Sequence, residues 1–176
     1  MRNRPPLSVK DKIAVQSVAD LPTSLIALND WNRRLLEPKE SAMIFEYRKR
    51  IYGYECDVYG HLNNANYLQL LEAARAEALI DMEMSIARMR ELDLQIFVTA
   101  FELRYIKAIQ LEDIVTVKTW ATSITRLRGH WRQEVYDGTG TLCFTAEMDA
   151  VFARGGKPQR LSAEVLEVFV SRTETQ

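Results

Sequence analysis

The sequence predicts an α+β fold in which one long central helix is wrapped by a curved antiparallel β-sheet. Two observations carry this prediction. A helical pattern of about five turns begins near residue 64. Beyond residue 96, alternating segments separated by short turns read almost entirely as strands. One helix set against a run of strands is typical of the α+β class.

Composition sets the frame for these elements. The chain has 176 residues, of which 47% are hydrophobic and 27% charged, enough for one domain with a full core. We divide it into an N-terminal arm at residues 1–42 and a folded domain at residues 43–176. The arm is interrupted by prolines and has one short helical pattern around residues 25–36.

Several classes of partner and location are disfavoured. The formal net charge of −1 gives no reason to expect nucleic acid or an anionic membrane surface as a partner. No apolar run approaches the ~20 residues that cross a bilayer, and the N-terminus lacks the apolar core of a secretory signal. Cys56 and Cys143 stand alone, which argues against a disulfide framework or a zinc site. We therefore expect a cytoplasmic protein.

The first strand is predicted within AMIFEYRKRIYGY, residues 42–54. Phe45 and Tyr47 fall on one face there, and Glu46 and Arg48 fall on the other. This alternation has the period of two that a half-buried strand requires.

The long helix is predicted over NANYLQLLEAARAEALIDM, residues 64–82. Asn63 or Asn64 is a suitable N-cap, because an asparagine side chain can accept from the free N–H groups of the first turn. Many alanines lie along the helix, so a sheet can approach it closely on more than one side.

The remaining elements follow from pattern and turn chemistry. A second, weaker helix is expected at 85–92, and residues 162–170 read as a helix capped by Ser162, with a strand as the valine-rich alternative. Asp-Gly-Thr-Gly at 137–140 is a strong hairpin turn signal. Strands are predicted at 97–106, 114–124, 126–136 and 141–154.

The stretch ECDVYGHLNNANY, residues 55–67, places an acid and compact polar groups directly before the long helix. A helix N-terminus offers unpaired N–H donors and partial positive charge, which can stabilise a developing oxyanion near a carboxylate. The alternative is that Asp57 and the asparagines only cap the helix and stabilise the loop.

This stretch carries a resemblance to a known family. The pattern Asp57-x-x-Gly60-His61-x-Asn63-Asn64-x-x-Tyr67, running into Leu71-Glu72-x-x-Arg75, resembles the hotdog-fold acyl-CoA thioesterases, which include 4-hydroxybenzoyl-CoA thioesterase. The likeness spans roughly residues 44–161. It implies the hotdog fold and an assembly of at least two copies, a homodimer or homotetramer.

The resemblance also implies roles for individual residues. Asp57 matches the catalytic carboxylate, either a nucleophile or a general base on water. Asn64 matches the residue whose backbone N–H points at the thioester oxygen, and Gly60 lets the backbone turn close to the thioester. His61 is placed with the catalytic group, as a general base or an oriented loop residue. Tyr67 is expected at the acyl pocket.

Further candidates complete the expected substrate-binding set. Asn63 belongs to the same loop pattern. Glu72 is either a helix-borne catalytic acid, as in some family members, or a buried partner of Arg75. Basic side chains sharing one face of a predicted strand could meet coenzyme A phosphates or form a solvated face. These are Arg126, Arg128 and Arg132.

One departure from the family pattern concerns the turn after Tyr105. Family members usually carry proline and glycine there, whereas this chain has Ala108 and Glu112. The conformation of that turn is therefore open at this point.

The predicted function is hydrolysis of an acyl-CoA or acyl carrier protein thioester to a carboxylic acid and a thiol. The alternatives are a hotdog acyl-CoA hydratase or dehydratase and a non-catalytic module that binds acyl thioesters. No metal-ligand spacing or glycine-rich phosphate fingerprint occurs, so no cofactor is expected.

Overall fold

The computed structural model describes residues 43–171. The predicted N-terminal arm and its short helix lie outside this range. Three α-helices, one 3₁₀-helix (Gly53–Glu55) and six strands are joined by short connections along the described chain. The α-helices and strands are β1 (Phe45–Arg50), α1 (Asn64–Asp81), α2 (Ile86–Glu91), β2 (Gln95–Tyr105), β3 (Ile114–Ile124), β4 (Arg128–Tyr136), β5 (Leu142–Arg154), β6 (Lys157–Pro158) and α3 (Ala163–Val170).

The strands form one antiparallel sheet in the order β1-β3-β4-β5-β2, with the short β6 paired to β5. The register shifts between Val98 and Ala100 and again between Ala121 and Ser123. Such irregularities bend a strand and increase its twist. Gly129 pairs with Ile124 just beyond the second shift, and no side chain fits there, because a Cβ would lie 2.1 Å from the Trp131 ring. The sheet therefore curls, and its concave side receives α1.

Helix α1 buries the face on which Leu70, Leu71, Ala74 and Ala78 recur at helical spacing. The small alanines bring the helix backbone close to the sheet. Leu68, in contrast, is 39% exposed, so within residues 43–171 the helix is covered on one side rather than enclosed.

The core has two adjoining parts. One lies under the first half of α1 and includes Leu71, Val117 and Phe144. The other lies under its second half, where Met82 and Phe169 meet strand residues of the sheet. The α+β prediction, with one long helix against a curved antiparallel sheet, is confirmed.

Most predicted elements occur where the sequence places them. Asn63 rather than Asn64 is the N-cap of α1, because the Asn63 side chain accepts from the Ala65 N–H. Residues 163–170 form a helix capped by Ser162, not a strand. No helix within residues 43–171 is long and apolar enough to cross a membrane.

One local prediction is wrong, and one turn whose conformation the sequence left open can now be described. Strand β4 begins at Arg128, so Arg126 lies in the turn before it and does not share a strand face with the other two arginines. The turn after Tyr105 is also resolved: Glu112 has a φ of 69°, in the left-handed region that glycine favours. A glutamate here therefore adopts the conformation for which relatives are expected to use glycine.

Candidate active site

The loop before α1 is closed by backbone hydrogen bonds between its two ends. Cys56 and Leu62 form an isolated antiparallel bridge, and the Asp57 N–H donates to the His61 carbonyl at 2.8 Å. The Asn63 N–H donates to the Glu55 carbonyl at 2.9 Å. These bonds hold the loop at residues 57–61 against the start of the helix.

One oxygen of the Asp57 carboxylate is used to shape this loop. Its Oδ1 accepts from the Tyr59 N–H at 2.9 Å and from the His61 N–H at 3.2 Å. Within residues 43–171, Oδ2 accepts no hydrogen bond, and the side chain is only partly buried. The carboxylate is therefore oriented through one oxygen, with the other open to a ligand.

The first turn of α1 leaves one amide open. The Ala65 N–H is taken by the Asn63 side chain at 3.0 Å, and the Asn66 N–H donates to the Asn63 carbonyl at 2.9 Å. The Asn64 N–H donates to no group among residues 43–171, and Asn64 is exposed. An open N–H at a helix N-terminus attracts negative charge.

Gly60 and His61 shape the far side of the loop. Gly60 has a φ of 79°, and its carbonyl accepts from the Leu111 N–H at 3.0 Å. His61 forms an isolated bridge with Gln110, which ties the loop to the turn before β3. The His61 backbone N–H donates to the Asp57 carboxylate, and the His61 carbonyl accepts from the Asp57 N–H. The His61 side chain is half-buried.

A buried acid that the sequence analysis missed supports the same loop. Glu55 is 7% exposed, forms an ion pair with Lys49 and accepts from the Tyr52 N–H at 3.0 Å. Burial lowers the pKa of Lys49, but the hydrogen bond and charge of Glu55 outweigh burial and raise this pKa. The sequence of β1 already indicated such an acid. Its alternation places Lys49 on the half-buried face, where a cation needs a negatively charged partner.

Tyr67 is a core residue at this end of the helix. It is 3% exposed, and its ring lies 4.5 Å from Phe144 and 5.1 Å from Tyr105, centroid to centroid. Burial raises the pKa of Tyr67, partly offset by a hydrogen bond to the Ile109 backbone. Tyr67 thus fixes the first turn of α1 against the sheet.

Two turns along α1, Arg75 joins the helix to the sheet. Its guanidinium pairs with Glu72 and donates to Gln133 Oε1 at 2.8 Å. Gln133 is fully buried and donates to the Leu71 carbonyl at 3.1 Å and to the Thr119 hydroxyl at 2.9 Å. Arg75 is the predicted partner of Glu72, but the expected burial is wrong, because the Glu72 side chain is 72% exposed.

Beyond this network lies a cavity of about 390 Å³ between the second half of α1, α2 and the sheet. That volume is in the range of small-molecule sites. Most of its wall is apolar, and Glu72, Arg75 and Thr119 stand among its polar members. Its apolar wall includes Phe45, Leu79, Met82, Met89, Trp131 and Met148.

The predicted phosphate-binding arginines lie elsewhere. Arg126 donates twice to the Leu161 carbonyl, at 3.1 and 3.0 Å, which ties the β3–β4 turn to the segment before α3. Arg128 is exposed at the first position of β4. Arg132 pairs with Glu134 and Glu147, so acids already compensate its charge. Among residues 43–171, no hydrogen bond or ion pair joins these arginines to the loop at 57–61.

The second histidine of the chain lies on the sheet. His130 lies on β4, with Nδ1 2.7 Å from Asp149 and Nε2 3.1 Å from Glu147, away from the loop at 57–61. Among the residues that the structure describes, no group of three His, Cys, Asp or Glu side chains is arranged to hold a metal ion.

The chain matches known proteins over most of this region. The family model of the thioesterase-like superfamily matches residues 53–170. The long-chain acyl-CoA thioesterase FadM of Escherichia coli (strain K12) is 34% identical over 68 residues, which are 39% of this chain and 51% of that protein.

Solved structures show the same fold. A hypothetical protein from Aquifex aeolicus has a TM-score of 0.67 and 26% identity, covering 71% of this chain and 98% of that one. The DHNA-CoA thioesterase from Staphylococcus aureus has a TM-score of 0.68 and 25% identity, covering 73% and 89%. The hotdog fold predicted from the resemblance is confirmed.

Proposed function

The chain belongs to the thioesterase-like superfamily, and on that premise we propose that it hydrolyses an acyl-CoA thioester to a carboxylic acid and free coenzyme A. One observation carries the proposal. An open carboxylate oxygen of Asp57 and an open Asn64 N–H occur on one hydrogen-bonded loop at the start of α1.

The two groups suit the two demands of the reaction. The substrate carbonyl oxygen accepts from the Asn64 N–H, which stabilises the charge that develops on that oxygen in the transition state. The second demand, a base or a nucleophile, is met by the Asp57 carboxyl group. Two loop amides hold Oδ1 of Asp57 in place. Oδ2 is therefore oriented before the substrate binds, and the side chain loses little conformational entropy during the reaction.

Asp57 can act in either of two ways. As a general base it takes a proton from water, whose oxygen attacks the thioester carbon while the thiolate leaves. As a nucleophile it attacks that carbon itself, expels the thiolate and forms an anhydride that water then cleaves. Gly60 and His61 hold the loop in both cases, and Asn63 keeps the helix start in place.

Coenzyme A is the preferred thiol for this proposal. FadM and the Staphylococcus aureus enzyme are both named as acting on CoA thioesters. Neither Arg126 nor Arg128 adds support to this choice, because Arg126 is bound to the Leu161 carbonyl and Arg128 lies at the start of β4, away from the loop at 57–61. An acyl carrier protein thioester remains the close variant. A homodimer or homotetramer, with sites between copies, is part of the proposal.

The test is a panel of acyl-CoA thioesters with release of free thiol followed colorimetrically. We expect Asp57→Asn to lower kcat by about 10²-fold or more, as for loss of a positioned acid–base group. Asp149→Asn, which removes a distant acid beside His130, is the matched control and should leave kcat unchanged.

Each outcome has a consequence. Equal turnover by wild type and Asp57→Asn would remove Asp57 from the mechanism. Binding without hydrolysis of any thioester would favour the acyl-thioester binding module. Addition of water across an enoyl-CoA double bond, with the thioester left intact, would favour the hydratase.

A further inference from the structure

We infer that the acyl group of the substrate is a long unbranched alkyl chain, whose far end occupies the cavity beside the second half of α1. This inference rests on the proposed function, because it takes the thioester carbonyl to lie at the Asn64 N–H. The inference specifies the class of acyl group. The two thioesterase relatives do not decide it, because one is named for long-chain acyl-CoA and the other for DHNA-CoA.

One face of α1 leads from the reacting end to the cavity. Asn64, Leu68, Glu72, Arg75 and Leu79 follow one another at intervals of three or four residues. Side chains at these intervals lie above one another on a helix. The last three of them line the cavity, whereas Asn64 carries the open amide.

Strand β2 runs beside this face. Tyr67 lies one helical turn after Asn64, and its ring is 5.1 Å from the ring of Tyr105 in β2, centroid to centroid. Further along, the Arg75 guanidinium lies 5.4 Å from the centroid of the Phe101 ring. Leu103, between them on the same side of the strand, packs against the core under α1. The path from the helix start to the cavity is therefore bordered by apolar side chains of the neighbouring strand.

The length of this path selects the acyl group. Eight residues separate Asn64 from Glu72, which is about 12 Å along an α-helix at ~1.5 Å per residue. An extended alkyl chain advances about 1.3 Å per carbon, given a C–C bond of ~1.52 Å. About nine carbons are thus needed to reach the cavity, and a one-ring or two-ring aromatic acyl group ends before it.

The cavity wall suits an alkyl end rather than a polar one. Met82, Met89 and Met148 supply flexible thioether side chains that adapt to a mobile chain. Most of its polar side chains are already engaged: Arg75 with Glu72 and Gln133, Thr119 with Gln133, and Gln95 with the Gly156 N–H. Arg90 also lines the cavity, and its guanidinium has no hydrogen bond or ion pair among residues 43–171. At about 30 Å³ for a group the size of water, 390 Å³ holds on the order of ten methylenes.

The first experiment measures binding without chemistry. The affinities of the non-hydrolysable thioethers S-hexyl-, S-decyl-, S-hexadecyl- and S-benzyl-CoA are compared by calorimetry below their micelle concentrations. Each methylene beyond about the ninth should add about fourfold, equivalent to ~0.8 kcal/mol. We expect S-hexadecyl-CoA to bind at least 100-fold more tightly than S-hexyl-CoA or S-benzyl-CoA.

The second experiment fills the cavity. Ala76 lines it and Ala73 does not, although both are half-buried alanines of α1. Ala76→Phe should lower kcat/KM for palmitoyl-CoA at least 20-fold and for hexanoyl-CoA far less. Ala73→Phe should leave the ratio of the two substrates as in wild type.

Different results would refute the alkyl-chain inference and the proposed hydrolase function. Turnover that favours hexanoyl-CoA or benzoyl-CoA, or equal losses on both substrates in Ala76→Phe, overturns the alkyl-chain inference and leaves the hydrolase standing. Failure to hydrolyse any thioester overturns the proposed function. In that case the chain-length dependence of thioether binding still decides the inference, because a flat series refutes it.

Discussion

The Asn64 amide can be deleted without altering the helix that carries it, by the substitution Asn64→Pro. Asn64 is the first residue of α1, the position where proline is most readily accepted, since its missing N–H makes no bond within the helix. Asn63 has φ −63° and ψ 142°, which is the extended conformation that a residue before proline adopts. The cap also survives, because Asn63 accepts from Ala65.

The magnitude follows from what the amide is proposed to do. Loss of one oxyanion donor costs about 2.7–4 kcal/mol of transition-state stabilisation, or roughly 10²–10³ in kcat. The free energy of unfolding should stay within about 1 kcal/mol of wild type, since a compatible proline reduces the entropy of the unfolded chain. The variant should thus be folded and nearly inactive.

The assay is kcat for the best acyl-CoA of the panel, with urea unfolding of the same samples. Asn64→Ala is the control, because it removes the side chain and keeps the N–H, so its kcat should remain near that of wild type. A folded Asn64→Pro with kcat within threefold of wild type would refute the oxyanion role. Equal losses in both variants would assign the effect to the side chain instead.

Three further predictions concern stability. Gln133→Leu breaks the three hydrogen bonds of a fully buried side chain and should lower the free energy of unfolding in urea by about 3 kcal/mol. Gln69→Leu on the exposed side of α1 should change it by less than ~0.5 kcal/mol, and equal effects would contradict this. Glu112→Gly relieves a left-handed φ and should gain about 1 kcal/mol, and a loss would refute the strain. Hydrogen bonds from Lys107, Thr139 and Thr141 hold the pKa of Asp137 well below its usual value. The thermal midpoint of wild type should therefore exceed that of Asp137→Asn above about pH 4. The difference between the two thermal midpoints should decrease as the pH falls further, because the Asp137 carboxylate that stabilises the fold becomes protonated. A difference that does not change with pH would contradict this prediction.

The sequence determined the local elements because their signals are short-range. The helical spacing of α1, the Ser162 cap of α3 and the hairpin turn at 137–140 each depend on residues within a few positions of one another. The loop pattern also predicted which groups lie at the helix start, since Asp57 and Asn64 belong to the same short stretch of the chain.

The tertiary structure alone decided which polar groups are committed and which are open. Glu55 is held by Lys49 of another element, and Arg75 meets Gln133 across 58 residues of sequence. Arg126, which its spacing predicted to share a strand face with Arg128 and Arg132, is bound to the Leu161 carbonyl. Such pairings depend on sheet order and curvature, which bring distant residues together, and a local pattern contains no information about them. The apolar cavity beside the second half of α1 forms for the same reason, because its wall comes from several elements of the fold.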